Sequence, residues 1–325
     1  MEWLYPIALR IIAAVALIYF GLGLFNIQWL MRIRILAALG TGALFVGAVG
    51  FALLRPEDPL GAISLFTGEI SGANVLGVLL LALLAGAAAT VICYPLGNVL
   101  GPFATPAGFG VLALFTGGIK PLLLENASFE QRNALYGTFR MESLLWLGIC
   151  AAGYAAVLAT TKLIHKKAIT LHPEAVPQKK NEQWVNALIA AVVTAAIVYF
   201  TIGVFVRDIR QIDEKLGFVL GTPGNGQIAF GVLVSVGLAA FVAKRFLQAH
   251  FIPVIIGAVA LYIGLLTRHA GSETLGHMVR TWPVDFFPHA VYAITPLQFV
   301  PFAVLGAMTG YWIAIRSIQK PAEGN

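Results

Sequence analysis

Nine apolar blocks run through this chain, at 6–25, 35–54, 74–96, 103–119, 143–161, 185–206, 226–243, 251–267 and 296–315. An α-helix rises about 1.5 Å per residue, so each block is long enough to cross roughly 30 Å of hydrocarbon. A single block reads equally well as a buried helix of a soluble domain. Nine of them separated by short polar breaks do not. The composition agrees, with 59% of residues hydrophobic and only 11% charged, against roughly 45–50% and 25% in an ordinary soluble domain. The expected fold is all-α, a polytopic transmembrane helical bundle of about nine spans.

Orientation follows from the polar breaks. With the N-terminus outside and the C-terminus cytoplasmic, the inner segments hold eleven basic residues against three acids, and the outer segments nine against twelve. The inner basic residues abut span ends (Arg32, Arg34, Lys244, Arg245, Arg316) or cluster in one linker (Lys162, Lys166, Lys167, Lys179, Lys180), as the positive-inside rule requires. The opening MEWLYPIALR has an acid at Glu2, no basic run and no small-residue cleavage site, so it is expected to be a retained first helix. The basic linker 162–184 carries two prolines and joins a five-span half, 1–161, to a four-span half, 185–325. No stretch is polar and long enough for a separate soluble domain, so 1–325 reads as one integral membrane domain.

A net charge of +6 does not point to nucleic acid, because no basic helix face and no aromatic-interleaved basic run occurs. The lipid bilayer is the expected partner, and further membrane subunits are left open. The two cysteines, Cys93 and Cys150, lie in apolar blocks and read as packed small hydrophobes. No nucleotide, haem, hydrolase or metal motif is present, so no cofactor, metal ligand or catalytic residue is assigned. The heptapeptides SLFTGEI at 64–70 and ALFTGGI at 113–119 invite a repeat reading, but one precedes a span and the other ends one.

Four segments carry the polar candidates. The stretch 93–110 holds three prolines and four glycines; it either dips into the membrane and lines a cavity with Asn98 and Thr105, or forms a tight hairpin packed through small residues. The glycine-rich run 216–227, with Asn225, reads as an outer turn into the seventh span or as a backbone site for a ligand. In 125–143, Ser128 and Gln131 fit a capping box, the charges read as a solvated face, and Glu142 sits at a span boundary with Arg10 or Arg140 as available cations. The outer loop 267–295 predicts a short helix from Ser272 to Trp282. Its apolar face (Leu275, Met278, Val279, Trp282) would lie on the bilayer, and its polar face would give an alternative outer site of Glu273, His277, Arg280 and Asp285, with His269 and His289 nearby.

Three functions fit these features. A small-solute permease for an uncharged or weakly polar cargo leads, followed by a non-catalytic membrane subunit or anchor of a larger complex, and then an enzyme acting at the outer headgroup level. The bacterial cytoplasmic (inner) membrane is the expected location. The topology has a direct check: a reporter active only in the cytoplasm should work when fused after Lys180 and fail after Asp213 or Glu273. Signal from the Glu273 fusion would reverse the orientation.

Overall fold

The computed structural model describes residues 15–16, 18–23, 27–56, 61–66, 70–164 and 180–319. Most of block 6–25, with Arg10, and most of the basic linker lie outside the described residues. The protein is an all-α multi-pass membrane bundle with eight helices long and apolar enough to span a bilayer among the described residues. In chain order these are α1 (Trp29–Leu54), α2 (Gly72–Ile92), α3 (Gly97–Phe115), α5 (Phe129–Ile164), α6 (Lys180–Phe205), α7 (Asn225–Leu247), α8 (Phe251–His269) and α10 (Pro296–Gln319). Two shorter helices, α4 (Lys120–Glu125) and α9 (Glu273–Thr281), lie between spans.

Polar caps set several helix starts. Ser71 accepts from Asn74 N at 3.3 Å at the head of α2, and Ser272 accepts from Leu275 N at 3.1 Å at the head of α9. The capping box before α5 forms reciprocally, with Gln131 N donating to Ser128 Oγ at 3.2 Å and Ser128 N to Gln131 Oε1 at 3.1 Å, satisfying two otherwise orphaned amides. The box opens a single helix of 36 residues.

Within the bundle, helices meet backbone to backbone. In α1, which carries a π-helical stretch at Ala43–Val49, a Cβ on Gly42 would overlap the Ala104 carbonyl of α3, and one on Gly108 would overlap the Gly42 carbonyl in return. At the other side of the bundle, a Cβ on Gly310 of α10 would overlap the Gly237 carbonyl of α7. Lipid tails are as apolar as leucine, so helices gain association from close van der Waals contact that only small residues allow. The α7–α10 pair is the most extensively packed in the protein, and α10 is its most enclosed helix.

Four inter-helix segments gather on one face as a cap. Gly117 N donates to Gly61 O at 3.0 Å, Asn225 Nδ2 to Thr116 O at 2.8 Å, and Thr222 N to Asp285 O at 3.0 Å. Strict alternation of spans requires these segments to share a side, and they do. The cap also holds strands that the sequence pattern does not announce: β1 (Arg210–Asp213) and β2 (Gly217–Gly221) form an antiparallel hairpin, with Asp213 opposite Gly217, and β3 (Phe286–Phe287) adds to β2 through Leu220 and Gly221. The run expected as an outer turn therefore begins as a strand. Gly217 takes φ +76°, the left-handed backbone that closes the hairpin. The strands are too short for periodicity to mark them.

The glycine contacts make a testable stability claim. Gly310→Val or Gly108→Val should destabilise the detergent-solubilised protein by about 1–3 kcal/mol or more, read as a fall in Tm. Gly264→Val, at a position with nothing within 4 Å of a new Cβ, should leave Tm unchanged.

Candidate functional site

The most telling group is Glu142. It lies on α5 with its side chain fully buried, 22 residues from the helix end at Ile164, about 33 Å along the helix, or roughly the thickness of a hydrocarbon layer. No cation meets it among the described residues. Instead Oε1 accepts from Ser64 Oγ and, at 3.3 Å, from Phe66 N, so the loop 61–66 descends from the cap to receive it. Arg140, a possible partner on sequence grounds, donates to Thr267 Oγ1 at 3.5 Å. The span-boundary residue Glu142 is thus buried and bonded to the loop 61–66, with no cation beside it among the described residues.

One turn further along the same helix face, Trp146 is also fully buried. Its Nε1 and the second carboxyl oxygen, Glu142 Oε2, have no hydrogen-bond partner among the described residues. A buried donor or acceptor left unpaired costs roughly 1–3 kcal/mol, and intramembrane carboxylates are kept where they serve an ion, a proton or a solute. A cavity of about 50 Å³ on the cap side, lined by Arg55, Ser64 and Asn74, shares Ser64 with this group but does not reach Glu142 or Trp146.

The outer-loop candidates are dispersed. Asp285 pairs with Lys120 at 2.7 Å, Glu273 stands exposed at the start of α9, and Arg280 Nε donates to Gly276 O at 3.1 Å. His277 alone gains a carboxylate, and it is one that no sequence motif singles out: its Nε2 lies 2.8 Å from Asp213 Oδ2. The same oxygen accepts from Trp282 Nε1 at 2.8 Å, while Asp213 Oδ1 accepts from the Lys215 and Leu216 amides at 2.9 and 2.7 Å. Asp213 therefore closes its own hairpin and ties it to α9. The available signal was the spacing of Asp213 and Gly217 around a tight turn.

α9 itself is turned the other way from expectation. Leu275 and Met278 are buried within the protein, so the apolar face docks on the cap and not on the bilayer. Arg132, expected on a solvated face, is also buried, and its guanidinium donates to the carbonyls of Asn126 at 3.0 Å, Leu123 at 3.2 Å and Pro283. His269 stacks on Tyr292 with centroids 4.0 Å apart and His289 on Tyr199 at 5.0 Å; burial pushes the His289 imidazole below its ordinary pKa.

Of the remaining candidates, Asn225 is a strut: besides its bond to Thr116 O, its Oδ1 accepts from Gln298 Nε2 at 2.8 Å, joining α3, α7 and α10. The 93–110 segment turns at 93–96 and enters α3 at Gly97, so it has the hairpin of one reading, while Asn98, Val99, Pro102 and Phe103 line a cavity as the other expected of Asn98. Thr105 is buried there and donates to Ala82 O at 3.0 Å. Asn98 lines a second cavity, of about 130 Å³, on the face opposite the cap.

No protein-family model, characterised protein or solved structure matches this chain, so the meaning of the site rests on its own geometry.

The Asp213 latch has a defined pH response. Hydrogen bonds from Trp282 and His277 hold its carboxyl well below the usual carboxylate range, with burial pulling the other way. A depressed folded pKa stabilises above the unfolded value, about 4, and that contribution is lost as pH falls below it. Amide hydrogen exchange in β1 and β2, corrected for intrinsic rate, should stay slow from about pH 7 to about pH 5 and quicken below about pH 4. Asp213→Asn should exchange fast throughout; equal protection in the variant at neutral pH would rule out the latch.

Proposed function

We propose that this multi-pass membrane protein is a permease for a small uncharged solute that both donates and accepts hydrogen bonds, and that it resides in a bacterial cytoplasmic membrane. The observation that carries this reading is the pair of unpartnered polar atoms, Glu142 Oε2 and Trp146 Nε1, on one buried face of α5. One is an acceptor and the other a donor. A solute with an amide-like or polyol-like edge satisfies both, and the Ser64 hydroxyl, which lines the cap-side cavity, bonds the same carboxyl. A charged cargo suits the site less, since Glu142 meets no cation there and the surrounding core is apolar. The loop 61–66 that closes over Glu142 is then the segment that yields on the outer side to admit cargo.

A second reading keeps one observation of its own. Thr281 Oγ1, His277 Nδ1 at 3.5 Å and the Asp213 carboxylate beyond form a hydroxyl–imidazole–carboxylate row, which suits acyl or phosphoryl chemistry at headgroup level.

Stopped-flow light scattering on proteoliposomes, with urea, glycerol and acetamide as probe solutes, separates the two. At least one solute should enter faster than into protein-free vesicles, with the rate falling about tenfold or more in Glu142→Gln and by less in Trp146→Phe. Thr281→Ala should have no effect. If no probe exceeds the protein-free rate in folded, reconstituted protein, the permease reading fails.

A further inference from the structure

The cavity on the face opposite the cap has a different chemistry from the Glu142 site and is independent of it. About 130 Å³ in volume, it lies between α3, α5, α8 and α10, and Asn98, Tyr154, His250, Tyr311, Trp312 and Arg316 contribute its polar and aromatic wall. Arg316 stacks over Trp312 at 5.0 Å, and Lys244 of α7 over the Tyr311 ring at 5.0 Å. Neither cation pairs with a carboxylate among the described residues, and the described acidic side chains all lie on the cap side or at its boundary with α5. The N-terminus of α8, at Phe251, opens on the same cavity and adds the positive end of its peptide dipoles.

We propose that this cavity binds an anionic phosphoryl group, clamped by the Arg316 guanidinium with Lys244 at its rim. The guanidinium fork matches two phosphate oxygens, and its rigid stacking on Trp312 presets it for that contact. The volume is well below the roughly 300–1,000 Å³ of a site for a drug-sized ligand, so it holds a head and not a whole molecule. The rest of the wall is apolar, with Phe251, Met308 and Ile315, and would accept the carbons that follow the phosphoryl. Tyrosine and tryptophan at this level mark the membrane–water interface. The group can come from an anionic phospholipid of that leaflet or from free phosphate.

Native mass spectrometry of the full chain in mild detergent tests this with two probes, phosphatidylglycerol against phosphatidylcholine, and inorganic phosphate as competitor. Wild-type protein should retain phosphatidylglycerol over phosphatidylcholine, and Arg316→Gln should lower that retention about tenfold, with Lys244→Gln weaker in effect and Glu142→Gln without effect. Displacement by millimolar phosphate identifies free phosphate as an equal source; resistance to it identifies the lipid. The proposal is overturned if wild-type protein neither prefers the anionic lipid nor binds phosphate, or if folded Arg316→Gln and Lys244→Gln both retain lipid as wild type does. The wild-type titration stands even if a variant fails to fold.

Discussion

Helices in hydrocarbon gain nothing from hiding leucines against one another, so this bundle depends on how closely its backbones approach. The contacts of Gly42 with Ala104 and Gly108, and of Gly310 with Gly237, leave no room for a Cβ, and they bring whole helix faces into van der Waals range. α10 is the axis of this packing: it meets α7 through glycine and also contacts α3, α5 and α8. Much of the surface of α6 is left to lipid, as its exposed Leu188, Val192 and Phe200 indicate.

Close packing of the spans gathers most of the long-range side-chain hydrogen bonds among the described residues at one end of the molecule. On the cap face, Arg132 is satisfied by three carbonyls, Asp213 by four donors, and Asn225 by two partners on different helices. Each is a buried or half-buried polar group with at least one partner from a distant part of the chain, so the cap forms only when the spans beneath it are in place. Glu142 and Trp146 break this pattern, each keeping a polar atom without a partner among the described residues, as the single hydroxyls of Thr161 and Ser235 also do within the spans. What sets Glu142 and Trp146 apart is that an acceptor and a donor stand unpaired one turn apart on the same helix face, which a scaffold alone does not require.

The opposite face is built on other terms. Cations and aromatic rings meet there without carboxylates among the described side chains, as Arg316 on Trp312 and Lys244 on Tyr311. The charge asymmetry of the sequence reappears in three dimensions as two chemically distinct ends: one rich in acid–base contacts, the other basic and aromatic.

The spans were legible because hydrophobic length is a local property, and eight of the nine apolar blocks correspond to spanning helices among the described residues. Caps were legible for the same reason: Ser128 with Gln131 and Ser272 with Leu275 are contacts within one turn. Boundaries were less so, since α5 runs 14 residues before the block at 143–161, its extension held by the cap and not by lipid. The short strands, the inward turn of α9 and the burial of Arg132 had no local signature, because each depends on a surface supplied from elsewhere in the chain. Glu142 could be picked out as an acid at a span edge, yet its partner Ser64 lies 78 residues away. Asp213 and His277, 64 residues apart, were likewise joined only by the fold. Sequence alone determined which segments enter the membrane, because water and hydrocarbon judge each segment by itself; tertiary structure decided which polar groups meet, because hydrogen bonds require position.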